Sequence, residues 1–189
     1  MPPDRDSLIN HISICEGVIA LLSYRIDKEV IDASPDLKII SNMAVGTDNI
    51  DLEAATSRGI PVGNTPGVLT ETTADFAFSL LMASARRIVD ADNYVRDGQW
   101  KTWGPSVLLG YDIFGATLGI IGYGAIGQAM ARRAMGFNMR ILYNKRNPIK
   151  PIDGINATYA PIEQILSQAD FISLHVPLNE ETRHLIGAR

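Results

Sequence analysis

The stretch that most constrains this chain is TLGIIGYGAIGQAMARRAMGFNMRILYN, residues 117–144. An apolar run, a glycine cluster, an amphipathic run and a second apolar run follow one another without interruption. Gly122, Gly124 and Gly127 have the spacing G-x-G-x-x-G, with Tyr123, Ala125 and Ile126 between them. Alone the spacing is a weak signal; between a strand and a helix it has a mechanism. The first glycine permits a tight turn, the second lets a pyrophosphate approach the backbone, and the third lets helix and strand pack closely. Free N–H groups at the helix start then hold phosphate oxygens. The segment predicts a parallel β–α–β unit whose turn, residues 122–127, binds a dinucleotide.

The strand after that helix ends in ILYNKRNP, residues 141–148. Where NAD binds, a carboxylate at this place accepts hydrogen bonds from the ribose hydroxyls. Here the positions hold Asn144, Lys145, Arg146 and Asn147. A cation at this end attracts a 2′-phosphate that a carboxylate would repel. The expected cofactor is therefore NADP(H), with NAD(H) as the alternative. The charge of the whole chain is −4, which argues against nucleic acid or an anionic membrane as partner. The charge is unevenly spread, however. No Asp or Glu lies between Ile113 and Ile152, whereas Arg132, Arg133, Arg140, Lys145, Arg146 and Lys150 do, a local basic patch suited to a small anion.

The remaining sequence alternates strand and helix signals, as parallel sheets require. Helices are expected from residue 7 to 12, over DKEVIDAS and over DLEAATSRG. Short strands are expected at 17–23, 37–41 and IPVGN. Thr72 and Asp75 fit a capping box that would start a long helix reaching about Arg96. Ala77, Leu80, Leu81, Ser84 and Ile88 fall on one face of it. Residues 98–115 carry two Trp, several Gly and a Pro without a period, and are expected to form an irregular arm. Later segments predict a strand at ATYA, a helix at IEQILSQ, a strand at DFISLHVP and a last helix starting near Glu180. With 189 residues, 46% of them hydrophobic, the chain can bury a sizeable core. A single cysteine, a polar N-terminus and no apolar run of membrane length make the cytoplasm the expected location. No His/Cys cluster has the spacing of a metal site.

The glycine turn is followed by FISLHVPLNEETRHLI. Together with VGTDNIDLEAATSRGIPVGNTPGVLTETTADFAFSLLMASARR and DGQWKTWGP, it resembles the D-isomer-specific 2-hydroxyacid dehydrogenases. The match looks closest to the glyoxylate/hydroxypyruvate reductase branch and runs in order along nearly the whole chain. The resemblance implies an α/β fold of two Rossmann/flavodoxin-like lobes with parallel sheets. It divides the chain into a partial substrate-binding domain (1–66), a linking helix and dimerisation arm (67–115) and a partial NAD(P)-binding domain (116–189). It implies a homodimer with residues 100–114 in the subunit contact. It also implies that backbone N–H groups of Val45 and Gly46 hold the substrate carboxylate, and that Leu69 and Thr73 face substrate and nicotinamide. Trp103 would reach the neighbouring subunit's site, and His175, Val176 and Pro177 would line the cofactor.

Reduction of a 2-oxo acid needs a hydride source, a cation to hold the substrate and polarise its ketone, and an acid to protonate the alkoxide. The family supplies these last two roles from Arg, Glu and His residues expected beyond Arg189. His11, His175 and His184 do not match the family's acid, and Arg189 does not match its arginine, so no catalytic residue is expected within the chain. The start looks short as well, and both lobes are expected to be incomplete, leaving the isolated chain inactive and prone to aggregate through open sheet edges. The expected function is NAD(P)H-dependent reduction of glyoxylate, hydroxypyruvate or another small 2-oxo acid, as part of a longer enzyme. Two alternatives stand beside it: an inactive dinucleotide-binding remnant or corepressor-like module, and an unrelated enzyme on the same fold.

Overall fold

The computed structural model describes residues 4–149 and 154–187. Lys150 and Arg189 lie outside the described residues. The fold is α/β with parallel sheets throughout. The chain divides into two compact units, one of residues 1–69 with 177–189 and one of residues 70–176.

The first unit contains helices α1 (Arg5–Ile12), α2 (Lys28–Asp32) and α3 (Leu52–Ser57), and strands β1 (Gly17–Ala20), β2 (Ile39–Asn42) and β3 (Val62–Gly63) in the order β1-β2-β3. Each helix starts at an aspartate. The side chains of Asp4, Asp27 and Asp51 accept from the N–H groups of Ser7, Val30 and Ala54, satisfying donors that a helix start leaves open. Asp27 also accepts from Arg5 at 2.5 Å. Burial pushes its pKa up, but the Arg5 hydrogen bond and charge outweigh this and hold the carboxyl below its usual range. The core gathers Ile12, Ala20, Ile26, Val30, Ile31, Ile40, Ala55 and Ile60 on one side of the sheet. The other side is open, with Ile19 77% and Ile39 49% exposed. All-parallel sheets normally cover both faces.

The second unit contains α4 (Thr70–Ala85), α5 (Ile88–Arg96), β4 (Thr117–Ile121), α6 (Ala125–Met135), β5 (Arg140–Asn144), β6 (Ala157–Tyr159), α7 (Ile162–Gln168) and β7 (Phe171–Leu174). Its sheet has the order β6-β5-β4-β7. The strand that enters first, β4, lies between β5 and β7, so the winding reverses there, and a ligand crevice opens outside the strand ends at such a point. β4 and β5 are buried on both faces along most of their length, matching their unbroken apolar sequences. Leu118, Ile120, Tyr123, Met130, Ala134, Ile141 and Tyr143 form the core with Phe78 of α4.

Several expectations need correction. The long helix predicted to reach Arg96 is two helices. Arg87 takes a left-handed conformation (φ 53°, ψ 40°), and the Ala85 carbonyl accepts from Tyr111 N–H at 2.8 Å, a partner from the arm. Gly110 permits that approach, because a Cβ there would collide with Ala85 O. α4 begins at Thr70, so Thr72 lies inside it, and Asp75 binds Arg133 instead of closing a capping box. The buried side of α4 carries Ala74, Phe78 and Ala85; Leu80 and Ile88 of the predicted face are 55% and 51% exposed. The helix predicted from Glu180 is a set of turns. Asn179 Oδ1 accepts from Glu181 and Thr182 N–H, as a helix cap would, but His184 (φ 57°) turns the chain away. Residues 98–115 contain no helix or strand, as expected.

Gly119, mid-strand in β4, is required by the fit of α7. A Cβ there would strike Ile165 Cγ2 and lie 3.1 Å from Ala169 Cβ. Gly119→Ala should therefore cost about 1–3 kcal/mol by overpacking. Urea unfolding of this variant, of Ile165→Ala and of the pair should show less than additive loss, because truncating the isoleucine makes room for the new methyl.

Candidate functional site

The glycine turn joins β4 to α6, and its three glycines have three different surroundings. Gly122 has φ +98°, and a Cβ on it would run into the backbone carbonyl of His175, at the end of β7. Gly127 would bring a Cβ against Gly122 O and within 3.1 Å of Ile120 Cγ2, so helix and strand pack there without room for a side chain. Gly124 differs: a Cβ on it would meet nothing within 4 Å. Its space lies directly before α6, where helix geometry leaves the N–H groups of Ala125, Ile126 and Gly127 without intrahelical acceptors. The first such bond is Gln128 N–H to Gly124 O at 3.0 Å. A turn, an open cradle and a tight contact are what a pyrophosphate-binding backbone requires, and these residues fit the group.

Other contacts set the shape of the turn. Gly122 and Tyr123 N–H both donate to Asn144 O, at 3.0 and 3.3 Å, so the end of β5 fixes the turn. The Asn144 side chain donates to Ala160 O at 3.0 Å, tying β5 to the residue after β6. Tyr123 is fully buried and stacks on Tyr143, with ring centroids 4.2 Å apart. Its hydroxyl is buried without a hydrogen-bond partner, and burial pushes its pKa up. The Tyr123 side chain is thus committed to the core, and only its backbone belongs to the turn. Tyr143 Oη donates to Ile149 O at 2.6 Å, closing the loop that carries Lys145, Arg146 and Asn147. His175 N–H donates to Ile121 O at 2.7 Å, and its Nε2 lies 2.8 Å from Ser173 Oγ. Burial lowers its pKa, which favours the neutral ring. Thr73 and His175 line one groove with Phe76, Leu80 and Ser173.

The basic patch read from the sequence divides in space. Arg132 and Arg133 bind Glu71, and Arg133 also binds Asp75, so α6 is clamped to the first turns of α4. Hydrogen bonds from Arg132 and Arg133 hold the Glu71 carboxyl below its usual range. Arg140 donates to Gln168 Oε1 at 2.9 Å. Lys145 and Arg146 directly follow the end of β5.

In the first unit, the loop after β2 carries Val45 and Gly46, which line a groove with Asp48, Asp51, Pro177 and Asn179. Residues passed over in the sequence hold this loop. Asn42, fully buried, donates through Nδ2 to Gly46 O at 2.8 Å and to Asn49 Oδ1 at 3.0 Å. Asn64 Nδ2 donates to Val45 O at 2.9 Å, and Thr65 N–H to Ala44 O at 2.9 Å. The only signal in the sequence was the clustering of asparagines around an apolar strand end.

A family model described as the D-isomer specific 2-hydroxyacid dehydrogenase, NAD binding domain, matches residues 78–189. The chain belongs to the D-isomer specific 2-hydroxyacid dehydrogenase family. It is 55% identical over 190 residues to a glyoxylate reductase of Korarchaeum cryptofilum, covering 98% of this chain and 57% of that protein. A glyoxylate reductase of Pyrococcus horikoshii is 51% identical over 188 residues, covering 97% of this chain and 56% of that one. A crystal structure of a Thermus thermophilus protein superposes with a TM-score of 0.92 at 46% identity, over 98% of this chain and 58% of that chain. The chain thus spans little more than half the length of the curated relatives it matches.

Within this chain, Gly122 to Gly127, Asn144 and His175 come together at one end of the second sheet. Leu69 and Trp103 are 48% and 78% exposed. His11 bonds Ser7 O within α1. Among the described residues no group of three His, Cys, Asp or Glu could hold a metal ion, and no helix is long and apolar enough to cross a membrane.

The open space at Gly124 gives a prediction that separates binding from folding. Gly124→Ala should leave the thermal midpoint unchanged within about 2 °C, because the new methyl meets nothing. Its dinucleotide affinity, read by calorimetric titration, should fall more than about tenfold as the methyl enters the pyrophosphate space. Gly122→Ala should lose stability and binding together.

Proposed function

We propose that this chain forms part of a cytoplasmic, homodimeric reductase that converts a small 2-oxo acid, glyoxylate or hydroxypyruvate, to the 2-hydroxy acid with NADP(H) as preferred cofactor. The observation that carries the reading is the open cradle at Gly124 in front of α6, with Lys145 and Arg146 at the neighbouring strand end. The glyoxylate reductases at 55% and 51% identity support the reaction class.

In this reading residues 1–66 bind substrate, residues 67–115 link and dimerise, and residues 116–189 bind the dinucleotide. When bound, the nicotinamide supplies the hydride. The N–H groups at the start of α6 hold the pyrophosphate, and Gly124 to Gly127 supply the backbone. Lys145 and Arg146 face the 2′-phosphate, with Asn144 and Asn147 beside them. His175, Val176, Pro177 and Thr73 line the nicotinamide side. The N–H groups of Val45 and Gly46 take the substrate carboxylate, with Leu69 facing the substrate and Trp103 reaching the neighbouring subunit's site. The chemistry also needs a cation on the ketone and a proton donor, and we assign neither role to a described residue.

Arg146→Ala tests the cofactor assignment. Titration with NADPH and with NADH should show NADPH binding weakened by about five- to fiftyfold and NADH binding changed by less than about twofold, as for one charge-assisted contact to a phosphate. Equal loss for both would contradict it.

A further inference from the structure

The loop after β2 shows three successive carbonyls tied inward. Ala44 O accepts from Thr65 N–H at 2.9 Å, Val45 O from Asn64 Nδ2 at 2.9 Å and Gly46 O from Asn42 Nδ2 at 2.8 Å. No peptide bond among the described residues is cis. In a trans peptide the C=O of one residue and the N–H of the next point in opposite directions within one plane. Fixing Ala44 O therefore aims Val45 N–H away from Thr65, and fixing Val45 O aims Gly46 N–H away from Asn64. Among the described residues neither N–H donates a backbone hydrogen bond outside a helix or strand, and both residues line the groove with Pro177. Adjacent outward donors form a concavity suited to an anion.

Asn42 is itself held. Asn42 shares a reciprocal amide pair with Asn49, Nδ2 to Oδ1 at 3.0 Å and Asn49 Nδ2 to Asn42 Oδ1 at 3.3 Å. Asn49 Nδ2 also reaches Leu21 O at 3.2 Å and Tyr24 O at 3.1 Å, and its own carbonyl accepts from Ile26 N–H at 2.8 Å. A fully buried amide with these partners has one orientation, so the loop it grips has one orientation too.

We propose that Asn64 is a positioning residue that aims the backbone N–H of Gly46 at the carboxylate of the substrate, with Asn42 anchoring the other side of Gly46 by fixing the peptide plane that follows it. The inference rests on the 2-oxo acid reading above. Neither side chain touches the substrate. Each acts by removing the freedom of a peptide plane to rotate, so that the donors stand ready before the anion arrives.

The test uses the full protein with glyoxylate, the carboxylate inhibitor oxamate and NADPH. Asn64→Ala removes an exposed side chain and leaves the core intact. It should raise KM for glyoxylate and Ki for oxamate together by about two- to tenfold, the range for one hydrogen bond. kcat and the Kd for NADPH should change by less than about twofold. Asn42→Asp, nearly isosteric, should show the same split, and Asn64→Ala carries the test alone if that variant fails to fold. Unchanged KM and Ki in Asn64→Ala, or equal loss of substrate and cofactor binding, would overturn the proposal. If wild-type protein neither reduces glyoxylate nor binds oxamate in competition with it, the functional reading falls first and takes this inference with it. If wild type does both and the variant matches it, only the positioning role fails.

Discussion

The second unit depends on the place where the backbone of Gly122 lies against the backbone of His175. β4 and β7 end together there, and nothing larger than hydrogen fits between them. The contact requires a glycine in a left-handed conformation, so the chain leaves β4 in a sharp turn and enters α6 at once. From that turn follow the open space at Gly124, the donors at the helix start and the tight seat of Gly127 under Gly122 O. Asn144 secures the arrangement from the other side by accepting from Gly122 and Tyr123. The phosphate site is thus a property of backbone packing. In the proposed reading, side chains enter only beyond it, through Lys145 and Arg146 after β5.

The first unit reaches a related end by different means. It also offers backbone N–H groups in a loop after a parallel strand, but no helix start supplies them. Side-chain amides grip the loop's carbonyls there, through Asn64 and the buried Asn42–Asn49 pair. A buried polar pair of this kind is stable because its members satisfy one another and the neighbouring carbonyls.

Much of this was legible in the sequence because the signals were local. The glycine spacing and the apolar runs of β4 and β5 are read within a few residues. What was missed came from partners far along the chain. The break after Ala85 comes where Tyr111, well beyond the next helix, binds the Ala85 carbonyl. The basic patch lost Arg132 and Arg133 to carboxylates on α4, far earlier in the chain. The buried face of α4 was misjudged because the helix is apolar on more than one side, and periodicity does not say which side meets the core. The asparagines around Val45 and Gly46 read as loop composition until their amides were seen to grip the loop's carbonyls.

The most direct test of the account is a crystal structure of the full protein with NADPH. The account predicts pyrophosphate oxygens within hydrogen-bond distance of Ala125 and Ile126 N–H, above Gly124, with the 2′-phosphate against Lys145 and Arg146. A dinucleotide bound elsewhere, with the space at Gly124 filled by water, would contradict it.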